Sequence, residues 1–107
     1  VKLGSAWLDE TFITAATRKQ FWQPQQLTDG SINPQNYALG WRWANYEDEN
    51  GRVHNANHGG VSRGSQSWLM VIPEQKMTVS VMINSNVEEF WDFGQISMPL
   101  ARLFFEE

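Results

Sequence analysis

The sequence predicts an α+β domain, an antiparallel sheet of about four strands flanked by an N-terminal and a C-terminal helix. Three observations carry that expectation. Apolar residues recur at helical spacing near both ends, the middle of the chain alternates large and small side chains at the strand period, and turn signals divide that middle into hairpins. With 107 residues, 41% of them apolar, the chain has the size of one compact domain with a core of its own.

Taken in order, residues 9–22 read as a helix, with Asp9 as cap and Leu8, Phe12, Ala15, Ala16 and Trp22 on one stripe. Residues 23–35 hold Pro24, Pro34, Asp29-Gly30 and no apolar period, so they read as a loop. The clearest strand signal is the alternation from Tyr37 to Trp43, giving a first strand over 37–46 whose inner face carries Tyr37, Leu39, Trp41 and Trp43. Asn50-Gly51 suits the positive φ angles of a hairpin turn and returns the chain into a second strand over 52–58. Strands over 66–72 and 77–84 form the next hairpin, separated by Pro73, which cannot continue a ladder. Phe90, Phe93, Ile96, Leu100 and Leu103 or Phe104 restore the helical period over 88–105, with Pro99 kinking that helix or opening a separate last one.

Composition removes whole classes of function. Eight Lys and Arg face twelve Asp and Glu, a net charge of −4 with both signs scattered, which gives no grip on phosphate or anionic lipid. A nucleic-acid partner is therefore not expected. No apolar stretch approaches the roughly 18 residues of a membrane-spanning helix. Cys is absent, which excludes disulfides, thiolate metal sites and Cys nucleophiles. The chain opens at Val1 without an initiator Met and runs straight into a patterned segment, as expected for the downstream piece of a longer product.

Several short patterns invite chemistry, and each has a plainer reading. Gly60-Val61-Ser62-Arg63-Gly64 fits the G-x-S-x-G nucleophile elbow. No His follows Ser62, however, and the next run is a strand where the elbow needs a helix, so a Gly-rich link between strands is expected. His54 and His58 have the spacing of a zinc helix, yet Asn55 stands in place of the base. On a strand the two would lie about 13 Å apart. Neither a metal nor another cofactor is expected. Gly59 to Ser65 mimics a phosphate loop but has Ser65 where the Lys must be. Glu47-Asp48-Glu49 reads as solvated charge at a hairpin tip, and Glu88-Glu89 as charge complementing a helix N-terminus.

Five pieces in order, Tyr37-Ala38-Leu39-Gly40-Trp41, His58-Gly59-Gly60, Gly64-Ser65-Gln66-Ser67-Trp68, Pro73-Glu74-Gln75 and the strand ending in Asn84-Ser85-Asn86, together resemble the C-terminal part of the β-lactamase-related serine hydrolases. The nearest branch is that of class C β-lactamases, penicillin-binding DD-peptidases and esterases. The resemblance covers nearly the whole chain and implies a fragment of the β-lactamase/transpeptidase-like fold. It also implies an acyl-enzyme mechanism in which Ser from S-x-x-K attacks a carbonyl while that Lys and the Tyr of Y-x-N move protons. His58-Gly59-Gly60 stands where the lactamases carry Lys-Thr-Gly, with His58 hydrogen-bonding the substrate or the Tyr oxygen, and Gly59 and Gly60 letting substrate lie along the strand.

This sequence departs from the family pattern by containing neither S-x-x-K nor Y-x-N. The 107 residues alone are thus expected to be inert, with the remainder of the hydrolase domain as partner, a small-molecule acyl substrate, and self-association through the surface left uncovered. His58 in place of Lys leans toward ester or peptide over lactam substrates, since imidazole carries a less certain charge. By resemblance the location would be the periplasm or cell envelope. The alternative is a glycan-binding module that stacks sugars on Trp41, Trp43 and Trp68.

Overall fold

The structure, a computed structural model, describes residues 1–105, the side chains of residues 90–92 excepted. Four strands, β1 (Arg42–Asp48), β2 (Gly51–Ser62), β3 (Ser65–Ile72) and β4 (Met77–Ile83), form one antiparallel meander in the order β1-β2-β3-β4. Short helices α1 (Lys2–Trp7) and α2 (Ala15–Phe21) precede it, and α3 (Phe90–Gln95) and α4 (Ser97–Arg102) follow. The α+β class and the four-stranded sheet expected from the sequence are both present.

Both faces of the sheet are covered, so each strand buries alternate residues on opposite sides. On one face Val53, Trp68, Met70 and Ile72 pack with Phe93, Met98 and Ala101 of the C-terminal helices. On the other, Ala56 and Val71 pack against Trp22 and Trp41, with Trp7 and Leu8 alongside. Trp7, Trp22, Trp43 and His54 make a continuous stack across this second face, with interplanar angles of 21°, 19° and 14° along the series. Gly4 lets α1 approach β4 closely, since a Cβ there would collide with the Thr78 side chain. No helix among the described residues is long and apolar enough to cross a membrane.

The expected helix over 9–22 is broken in two. Asp9 caps nothing; its Oδ1 instead accepts from Thr11 N at 2.9 Å and Thr11 Oγ1 at 2.7 Å, a local turn that competes with the helix. The cap of α2 is Thr14, whose Oγ1 accepts from Thr17 N at 3.2 Å.

The first strand also starts later than its alternation suggests, at Arg42 and not Tyr37. Asn36 and Gly40 adopt φ of 51° and 78°, which no extended strand accommodates, and Ala38 N closes a tight turn onto Trp41 O at 2.7 Å. Trp41 therefore precedes the sheet and is buried in the N-terminal aromatic cluster. In the hairpin that follows, Glu49 and Asn50 form the loop, and of the Asn50-Gly51 pair only Gly51 has a positive φ, 110°.

The expected last helix over 88–105 is two helices. α4 opens at Ser97, so Pro99 falls in its first turn, where a missing N–H costs nothing. Arg102 at its end pairs through Nε with Asp48 at 2.8 Å and donates from its terminal nitrogen to Gly51 O at 2.9 Å. Asp48 is thereby tied to the C-terminal layer, against the expectation of freely solvated charge; Glu47 meets that expectation in an exposed pair with Arg52.

Candidate functional site

β2 is twelve residues long and β1 only seven, and the difference creates the site. The β1–β2 ladder runs from Asp48↔Gly51 to Arg42↔Asn57 and stops. Beyond it, residues 58–62 pair with β3 alone, from His58↔Leu69 to Ser62↔Ser65. His58-Gly59-Gly60 thus begins a stretch of β2 that, among the described residues, no strand pairs on its β1 side. The cause is the turn at 37–41: Tyr37 bridges back to Arg42, so the chain enters the sheet from the side and cannot extend β1 alongside residues 58–62. The second strand expected over 52–58 is longer at its far end for the same reason that the first is shorter.

His58 is exposed at the head of this edge. Its Nε2 lies 2.9 Å from the Tyr37 hydroxyl, with the two rings edge to face at 73°. The Arg42 guanidinium stands 5.6 Å from the Tyr37 ring centroid, over the ring. From His58, Gly59 and Gly60 an open groove of about 570 Å³ runs over the sheet toward β4, lined also by Ser67, Leu69, Ser80 and Met82 and by Val1 and Leu3 of the N-terminal segment. That volume lies in the range of small-molecule sites, about 300 to 1,000 Å³. At Gly60 a Cβ would meet only the Ser67 Oγ, at 2.9 Å, a contact that rotation of the Ser side chain can relieve.

His54 has a separate life on the same strand. Its Nδ1 lies 2.6 Å from Glu74 Oε1, and its ring stacks on Trp43 at 5.7 Å. The two imidazoles therefore have different partners, and among the described residues no group of three or more His, Cys, Asp or Glu converges on one point. Ser62 sits at the β2–β3 hairpin, its Oγ 2.5 Å from Ser65 Oγ, with a strand after it and no imidazole upon it. The elbow geometry is absent. Asn86, in the last of the family-like pieces, braces that hairpin: its side chain accepts from Gly64 N at 2.7 Å and donates to Ser62 O at 3.0 Å.

The three tryptophans of the glycan reading do not share a face. Trp41 lies before β1 and is buried, Trp43 is sandwiched between Trp22 and His54, and Trp68 is buried on the opposite side of the sheet. Tyr37 and Leu39 are residues that sequence reasoning misassigned, as core positions of a strand: both precede β1, and Leu39 is exposed. The signal that finds them is Asn36 before and Gly40 after, two residues tolerant of positive φ that bracket a turn.

No family model matches the chain, and neither a curated protein nor a solved structure matches it significantly.

Proposed function

We propose that this chain supplies the edge-strand side of a serine acyl-hydrolase site, with His58 as hydrogen-bond donor to the acyl group or to a Tyr oxygen and Gly59-Gly60 as the floor along which substrate lies. The observation that carries the reading is the unpaired β1-side edge of residues 58–62, headed by an exposed His58, with a mainly apolar groove running from the same residues over the sheet toward β4. An extended acyl group can add to such an edge through backbone hydrogen bonds, as a peptide does in strand addition. The nucleophile and its bases come from the rest of the hydrolase domain, because no Ser of this chain has an S-x-x-K context. Ester and peptide bonds are the favoured substrates, since imidazole supplies a hydrogen bond without a fixed charge to anchor a carboxylate.

The test is to read the coding sequence upstream of Val1, produce the longer product and treat it with a fluorophosphonate or penicillin probe. Covalent labelling of a Ser in an S-x-x-K upstream of Val1 is the expected result. Absence of both motif and label, or a label on Ser62, overturns the reading.

A further inference from the structure

We propose that Tyr37 is the positioning residue of His58: its phenol O–H donates to Nε2, fixing the ring as the Nδ1–H tautomer and leaving Nδ1–H as the donor offered to the site. This inference rests on the reading of His58 as the acyl-site donor, and it specifies which nitrogen acts and what holds it.

Either neutral tautomer can make the 2.9 Å contact. The one assigned here has the phenol donate to a bare Nε2, because that pairs the stronger acid with the stronger base. The tautomer is then set, because the nitrogen that accepts cannot carry the proton. Among the described residues Nδ1 has no partner of its own, so its N–H is available.

Tyr37 is held firmly enough to impose this. Its N donates to Asn33 Oδ1 at 2.7 Å, and its carbonyl accepts from Asn33 Nδ2 at 2.8 Å and from Gln25 N at 3.0 Å. The Asn33 amide also donates to Gln25 O at 2.8 Å, so one side chain welds both limbs of the loop around Tyr37. The ring itself has the Arg42 guanidinium over it at 5.6 Å and meets the His58 ring edge to face at 5.9 Å. The long loop before β1 thus has a task, which is to deliver one hydroxyl to one imidazole nitrogen.

The experiment is long-range ¹H–¹⁵N correlation of the histidine rings in the ¹⁵N-labelled chain at a pH of about 8, above the ordinary imidazole pKa. His54 serves as internal reference, since its Nδ1 faces the Glu74 carboxylate and must carry the proton. His58 should show the same Nδ1–H pattern, and Tyr37→Phe, which keeps the ring under Arg42, should shift it toward Nε2–H while His54 stays unchanged. A wild-type His58 in the Nε2–H form overturns the proposal even if the variant does not fold, and so does a folded Tyr37→Phe with an unaltered tautomer. No substrate is involved, so a failed probe labelling leaves this result standing, and a wrong tautomer leaves the hydrolase reading standing.

Discussion

Gly94 of α3 backs directly onto the Trp68 indole of β3: a Cβ at position 94 would come within 2.5 Å of the ring carbons Cε3 and Cζ3. The contact fixes how closely the C-terminal helices approach the sheet, because neither backbone nor a buried indole can yield cheaply. Gly94→Ala should therefore lower stability by about 1–3 kcal/mol, the range of overpacked cores, although Ala is the better helix former. Thermal or urea unfolding checks it, and a variant as stable as the parent would show that the α3–β3 interface is looser than this.

Two exposed carboxyls should titrate low for a local reason. Hydrogen bonds from the Thr11 hydroxyl and then its backbone N–H hold Asp9 below its ordinary value of 3.8, and Ser31 does the same for Asp29. A folded-state pKa below the unfolded one gives stability that is present above the ordinary carboxyl range and is lost as pH falls through the depressed value. Both groups are fully exposed, so the effect belongs in a titration. In an NMR pH series Thr11→Val should raise the Asp9 pKa toward normal and leave Asp29 untouched, with Ser31→Ala doing the converse.

How much of this was legible in the sequence depends on which force decided each element. The β3–β4 hairpin was, because Pro73 acts locally to interrupt the ladder and the β-rich runs on either side of it pair as expected. The strand at Tyr37–Trp41 was not, because its alternating pattern is also satisfied by a turn that buries Ala38 and Trp41 in the aromatic cluster, and tertiary burial won over periodicity. The division of helix 9–22 was missed because Asp9 and Thr14 are both good caps by type, and only the Asp9–Thr11 hydrogen bonds take the first out of use. His58 was a candidate only through the family resemblance, in which His58-Gly59-Gly60 stands where the lactamases carry Lys-Thr-Gly. That its strand edge is bare, and that Tyr37 meets its ring, depended on where β1 begins.

The chain by itself should not hydrolyse a chromogenic ester or a cephalosporin above the buffer rate. The serine of the elbow-like pattern has no base upon it: Ser62 Oγ meets only Ser65 Oγ among its described side-chain partners. Turnover by pure material that disappeared in Ser62→Ala would reverse this account of the β2–β3 hairpin.

The most direct test of the central claim, that the bare edge at His58 is the acyl site, compares His58→Ala with His54→Ala in the complete enzyme. His58 heads the unpaired stretch, whereas His54 lies four residues earlier within the paired ladder, bound to Glu74. If His58 donates in the transition state, its loss should lower kcat/KM by roughly 10- to 1000-fold, about 1.4 to 4 kcal/mol, with little change in Tm. His54→Ala should cost less than about 3-fold in kcat/KM, whatever it does to Tm through Trp43 and Glu74. Equal kinetic losses in the two variants, or a His58→Ala loss that merely follows unfolding, would contradict the assignment.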